Sequence, residues 1–132
     1  MERKKILVID DEPDTVLFIA TVLEDNGYRT ERAADGERAL QLIREEPPDL
    51  ITLDITMPQK SGVAVYRFVK ETEQYRDIPV IIITGISEDF RRFISTRRQV
   101  PPPEGYLSKP IEPDDLLKLV ADLLQQRSVT VN

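Results

Sequence analysis

Short apolar runs alternate with amphipathic stretches along the chain. Ile6-Leu7-Val8-Ile9 is continuous and stops at the acidic pair Asp10-Asp11. Pro13 stands where a helix can begin, since its missing N–H is one of the donors left unpaired there. Asp14 joins Asp10, Asp11 and Glu12 near that end, where the helix dipole is positive. Val16, Leu17, Ile19, Ala20, Val22 and Leu23 recur at helical spacing up to the stop signal Asn26-Gly27. Tyr28 to Ala33 reads as a weaker strand, and Asp35-Gly36 as a turn. Ala39, Leu40 and Ile43 mark a second helix that ends before Pro47-Pro48. Leu50-Ile51-Thr52-Leu53 is a third strand ending at Asp54, with Met57-Pro58 and Ser61-Gly62 punctuating the loop behind it. Val65, Phe68 and Val69 belong to a third helix. Val80-Ile81-Ile82-Ile83 is the most apolar strand and runs into Thr84-Gly85. Phe90, Phe93 and Ile94 pattern a fourth helix, broken by Pro101-Pro102-Pro103. Tyr106-Leu107-Ser108 is a short fifth strand ending at Lys109-Pro110. Pro113-Asp114-Asp115 opens a fifth helix carrying Leu116, Leu117, Leu119, Val120, Leu123 and Leu124.

The pattern predicts five strands alternating with five helices. Apolar runs that do not alternate imply strands buried on both faces, which is the signature of a parallel sheet. The expectation is an α/β domain with a doubly wound five-stranded parallel sheet, order 2-1-3-4-5, and helices on both faces. At 132 residues the chain suits one domain with one proper core. The domain is expected over residues 4–126. Residues 127–132 form an unpatterned C-terminal tail.

Composition narrows the chemistry. The chain has 24 acidic and 18 basic side chains, and no histidine, cysteine or tryptophan. Zinc cages, disulfides, thiol redox and Ser-His-Asp or Cys-His nucleophilic systems are therefore excluded. The net charge of -6 argues against a general nucleic-acid binder. No apolar run nears the roughly 18 residues of a membrane span. The basic start Met1-Glu2-Arg3-Lys4-Lys5 is followed by only four apolar residues before the acidic pair, so no signal peptide is expected. Cytoplasm is the default location.

Ligands of doubly wound folds gather at the carboxyl ends of the strands. Asp10, Asp11, Asp54, Thr84 and Lys109 fall there, from the first, third, fourth and fifth strands. Like-charged carboxylates about 4 Å apart cost on the order of 4 kcal/mol per pair at an effective dielectric near 20. A raised pKa or a bound cation relieves that. A hard divalent ion such as Mg²⁺ fits oxygen ligands and leaves room for phosphate oxygens. With Lys109 and Thr84 alongside, the set suits phosphoryl transfer to a carboxylate. Singly, each residue would pass for a loop acid, a helix cap or a solvated lysine.

The text Ile6-Leu7-Val8-Ile9-Asp10-Asp11-Glu12-Pro13, Asp54-Ile55-Thr56-Met57-Pro58 with Ser61-Gly62, Ile82-Ile83-Thr84-Gly85 and Tyr106-Leu107-Ser108-Lys109-Pro110 resembles the receiver domain of bacterial two-component response regulators. The resemblance covers roughly residues 4 to 126. It implies a flavodoxin-like, chemotaxis-regulator-like fold. It also implies that Asp54 is the phosphoacceptor, fed by a phosphohistidine on a sensor histidine kinase or a histidine phosphotransfer protein. Asp10 and Asp11, with Asp54 and the Thr56 carbonyl, are implied as the Mg²⁺ site, with Mn²⁺ as a substitute. Thr84 is implied as the switch hydroxyl, Lys109 as the ion-pair partner of the phosphoryl group and Tyr106 as an aromatic rotamer switch. Pro58 and Pro110 would be structural at the site. Phosphorylation would bias the face made by the fourth helix, fifth strand and fifth helix toward a downstream effector, an output domain or a second copy of the chain. Neither nucleic acid nor membrane is implied as a direct partner, and the protein would signal rather than catalyse turnover.

Gly85 stands where the family usually has a residue such as Ala. The stretch from Thr84 to Lys109 is longer than usual, and Val100-Pro101-Pro102-Pro103-Glu104 replaces a more helical or Gly/Ala-rich passage. Arg91, Arg92, Arg97 and Arg98 cluster in the same region, either as a solvated helix face or as a docking patch for an acidic partner. Three other readings stay open: a non-phosphorylated pseudo-receiver, an Asp-nucleophile phosphatase and, more weakly, a flavin mononucleotide binder. The phosphatase family resembles Asp-x-Asp after its first strand, which this chain lacks. Three acids would repel a flavin phosphate. A stand-alone receiver and the N-terminal piece of a longer protein are both compatible with the sequence. With no histidine in the chain, the phosphoryl donor must act in trans.

Overall fold

The structure, a computed structural model, describes residues 3–85 and 102–130. In chain order it contains β1 (Lys5–Ile9), α1 (Pro13–Asp25), β2 (Arg29–Ala33), α2 (Gly36–Glu45), β3 (Leu50–Asp54), a 3-10 turn (Pro58–Lys60), α3 (Ser61–Glu71), β4 (Val80–Thr84), β5 (Gly105–Ser108) and α4 (Pro113–Thr130). All strand pairs are parallel and the order is β2-β1-β3-β4-β5, as the apolar runs predict. The expected count of five helices becomes four α-helices among the described residues. The helix predicted from Phe90, Phe93 and Ile94 lies outside them, as do Arg91, Arg92, Arg97, Arg98, Val100 and Pro101. The helix predicted as the fifth is α4.

The two faces of the sheet follow from strand alternation. Leu7 and Ile9 of β1 point into a core with Ala39, Leu42 and Ile43 of α2 and Val65, Tyr66 and Val69 of α3. Ile6 and Val8 point the other way, onto Val16, Ile19 and Leu23 of α1 and Leu116, Val120, Leu123 and Leu124 of α4. β1, β3 and β4 are buried along their whole length, which explains their unbroken apolar text. Leu17, counted in the apolar pattern of the first helix, is exposed with Phe18 beside it.

Local signals set the joints. Asp35 caps α2 by accepting the Arg38 N–H at 2.8 Å. Gly27 takes φ +92 after α1, a conformation that a side chain would strain. α4 continues past Arg127, where the sequence suggests an unpatterned tail, and Arg127 Nη1 donates to the Asp49 carbonyl at 2.9 Å.

Two buried lysines brace the amino-terminal side of the sheet, and hydrophobic patterning marks neither. Lys5 Nζ pairs with Glu31 at 2.9 Å and Glu46 at 2.5 Å. Its ammonium is also the main cause that lowers the Glu46 pKa. Lys70 of α3 donates to the carbonyls of Arg76 (3.2 Å) and Ile78 (3.1 Å) and pairs with Glu104 Oε2 at 2.8 Å. Glu104 Oε1 also accepts the Val80 N–H at 2.7 Å. The residue just before β5 is thus tied to the start of β4, which fixes where β5 begins and where its far end delivers Lys109.

Two stability outcomes follow. Glu104→Ala strands the Lys70 charge with only carbonyls around it. It should lower unfolding free energy by about 2–3 kcal/mol in urea titrations, a little under the range for a fully buried pair because Glu104 is partly exposed. Thr52 in β3 buries a hydroxyl that has no hydrogen-bond partner. Thr52→Val should raise stability by about 1 kcal/mol in the same assay, since it replaces an unsatisfied polar group with a methyl.

Candidate functional site

Strand register brings the site together. Ile9 pairs with Leu53, so Asp10 and Asp54 come next to each other at the ends of β1 and β3. Asp54 pairs with Ile83, which puts Thr84 one step further along β4. Thr84 pairs with Ser108, and the Lys109 N–H donates to the Thr84 carbonyl at 3.0 Å. Four strand ends therefore stop at nearly one level.

Asp10 and Asp54 are each 2% exposed. Asp10 Oδ1 accepts the Glu12 N–H at 2.9 Å, which folds the chain back over the end of β1. Asp54 Oδ1 accepts both the Thr56 N–H (2.8 Å) and the Thr56 hydroxyl (2.5 Å). Asp54 Oδ2 lies 3.4 Å from Lys109 Nζ. The same ammonium is 3.3 Å from Asp10 Oδ2 and 2.9 Å from Glu12 Oε1. It meets Asp10 as an ion pair rather than an aligned hydrogen bond, and Asp10 Oδ2 has no other partner. One cation faces three acids.

Close packing holds the loop after β3. A Cβ on Gly62 would lie 2.5 Å from the Asp54 carbonyl oxygen and 2.8 Å from Ile55 Cα, both backbone atoms that cannot step aside. Only glycine lets α3 start this close to β3. Gly85 is different, because an added Cβ would meet Lys109 Cδ at an ordinary 3.8 Å.

The model of the response regulator receiver domain matches residues 6–121. The chain belongs to the response regulator receiver family. It is 33% identical over 126 residues to the probable transcriptional regulator ycf27 of Porphyridium aerugineum, covering 96% of this chain and 50% of that protein. It is 32% identical over 121 residues to the polar-differentiation response regulator DivK of Brucella ovis, covering 92% of this chain and 96% of DivK. The receiver thus spans about half of the first relative and nearly all of the second. Among solved structures it superposes on a CheY-like response regulator receiver domain protein from Methanospirillum hungatei. There the TM-score is 0.83 at 26% identity, over 98% of this chain and 99% of that one. A response regulator from Chloroflexus aurantiacus, described as putative, gives a TM-score of 0.81 at 28% identity, over 94% and 99%. The family is that of the receiver domains of two-component systems.

Within this receiver, Asp10, Asp54 and Lys109 come into direct contact, as the sequence suggests. Thr84 is buried on β4 beside them, and Tyr106 of β5 pairs in register with Ile82 and is partly exposed. Pro58 opens the 3-10 turn behind Thr56, and Pro110 follows Lys109 through a cis peptide bond. Asp11 is exposed and stands outside the group of acids that approach one another. Glu12 takes that place: Asp10, Glu12 and Asp54 each offer an oxygen, all within 4.8 Å. Sequence reasoning also missed the Thr56 hydroxyl. The only available signals were their positions, each two residues beyond a strand-end acid.

Burial raises the Asp10 pKa from 3.8 to about 6, and the Asp54 charge adds to it, against the Glu12 N–H and Lys109. Burial pulls the Lys109 ammonium down, but the Glu12 hydrogen bond and the Asp54 and Asp10 charges outweigh it and raise its pKa. A folded-state carboxyl above its unfolded value binds more protons in the native state, so stability falls as pH rises through the window from about 4 to 6. Without divalent ions, Asp10→Asn should therefore be more stable than wild type at pH 7 by about 1–2 kcal/mol. That advantage should vanish below about pH 4, as read by thermal melts across pH.

Proposed function

We propose that this receiver is switched by phosphorylation of Asp54. A phosphohistidine on a sensor kinase or histidine phosphotransfer protein supplies the group in trans. Asp54 Oδ2 attacks phosphorus as the N–P bond breaks, and the imidazole leaves with the electron pair. The observation that carries this reading is the placement of Asp54. It is a buried carboxylate at a strand end, with Oδ1 engaged by Thr56 and Oδ2 turned to Lys109 and Asp10. Thr56 orients the nucleophile. Lys109 meets the charge that develops on the phosphoryl oxygens, the term that dominates such transfers. Thr84, one residue along β4, is the hydroxyl that turns to the new group, with Tyr106 following.

The donor set fits a hard divalent cation, since it is all oxygen, crowded and rich in charge, with one buried carboxylate oxygen lacking a donor. Asp10 and Asp54 would hold it with the Thr56 carbonyl; the family pattern adds Asp11, which here lies outside the group of acids that approach one another. When bound, Mg²⁺, or Mn²⁺ in its place, would neutralise charge on the acids and on an incoming phosphoryl group.

An acyl phosphate adds roughly two negative charges at a fixed point. The new contacts of Thr84 and Lys109 bias the face that includes β5 and α4. An effector protein, an output domain or a second copy of the chain is the reader of that face. We assign the switching unit to residues 4–126 and its place of action to the cytoplasm, on the strength of the family. Among the described residues no helix is long and apolar enough to cross a membrane.

Incubation with Mg²⁺ and acetyl phosphate should add one phosphoryl group by intact mass, and Asp54→Ala should abolish it. Label on Asp54→Ala would move the site elsewhere. A wild-type chain that stays unlabelled with every donor would make this a pseudo-receiver. Release of many equivalents from a phosphate ester would make it a phosphatase.

A further inference from the structure

We infer that Glu12 is a positioning residue that holds Lys109 in the unphosphorylated receiver and competes with the phosphoryl group for its ammonium. The inference rests on Asp54 being the phosphoacceptor. Glu12 occupies the residue before α1, where a side chain ordinarily accepts a hydrogen bond from the first turn. It makes no such bond. Its carboxylate instead receives the shortest of the three Lys109 contacts, 2.9 Å against 3.3 Å for Asp10 and 3.4 Å for Asp54.

The backbone enforces this choice. Asp10 Oδ1 holds the Glu12 N–H at 2.9 Å, and Pro13 fixes the start of the helix immediately afterwards. Glu12 is thereby suspended over the end of β1, facing Lys109 from the end of β5. The two residues are 97 apart in sequence. Burial separates Glu12 from the other two acids. Its side chain is 62% exposed, whereas those of Asp10 and Asp54 are nearly sealed. An exposed carboxylate can release an ammonium at little cost, because water solvates it afterwards. Glu12 is therefore the partner that Lys109 gives up when phosphoryl oxygens arrive. Until it does, Glu12 withholds part of the Lys109 charge from the transferring phosphoryl oxygens and slows the transfer that this charge assists.

Two readouts on wild type, Glu12→Gln and Glu12→Asp separate this from a structural role. The first is exchange of the Lys109 Nζ protons by nitrogen-15 NMR, without Mg²⁺ or donor. The second is the rate at which acetyl phosphate and Mg²⁺ add the phosphoryl group, followed by intact mass. Glu12→Gln should speed both exchange and labelling, each by about three- to fivefold, the scale of one part-exposed ion pair. Glu12→Asp keeps the charge on a shorter stem and should fall between the two. Unchanged exchange in Glu12→Gln would overturn the hold on Lys109. A labelling rate in Glu12→Gln equal to or below that of wild type would overturn the competition, and a slower rate that more Mg²⁺ restores would make Glu12 a cation ligand. A wild type that takes no label removes the phosphoacceptor reading itself and the competition with it.

Discussion

Charge balance at the carboxyl edge of the sheet is the constraint on which the rest depends. Parallel register stops β1 and β3 at the same level, so Asp10 and Asp54 come side by side and both are buried. Burial, with the repulsion from Asp54 added, raises the Asp10 pKa to about 6. Lys109 is the covalently attached answer. It must be delivered by β5, separated from β1 by two strands, and β5 must begin at the right height. The Lys70–Glu104 pair sets that height at the opposite edge. A buried ion pair adds little net stability in general. Here it serves to align the strand that carries the site's cation.

The two oxygens of Asp54 are not equivalent. Oδ1 accepts two hydrogen bonds from Thr56, while Oδ2 looks toward Lys109. Fixing one oxygen costs the carboxylate its rotational freedom and presents the other in one direction, which is how positioning lowers a barrier without new chemistry. The glycine at position 62 belongs to the same device, because it lets α3 press against the backbone of Asp54 and Ile55. The acids opposite are graded by exposure. Asp10 is sealed and short of donors, and Glu12 is open to water and tightly bonded to Lys109. A site graded in this way has one contact that yields more readily than the others.

Some relatives use this unit as half of a longer protein, and DivK uses it as nearly the whole. The same α/β unit therefore serves at different chain lengths.

Strand identity and the strand-end residues were legible because each rests on local text, and the order followed from the fold type. Short unbroken apolar runs bounded by turn signals read as strands buried on both faces, and a doubly wound sheet sends every such run to the same edge. Asp10, Asp54, Thr84 and Lys109 could be picked out on that ground alone, and the four motif blocks added the family. The sequence could not show which neighbour of Asp10 turns inward. Asp11 and Glu12 are both acids in one short run, and the choice depends on a backbone turn closed by Asp10 itself. Nor could it show that Lys70 is buried or that Glu104 reaches it, since a lysine on a helix and a glutamate after prolines both read as solvent-facing. Their pairing joins residues 34 apart and exists only once α3 and β5 are docked. The sequence by itself therefore determined which elements form and which residues reach the edge, because hydrophobic periodicity and turn chemistry act within a few residues. Tertiary structure alone decided which charges touch, because contact between ions from different strands depends on register, burial and the last ångström of approach.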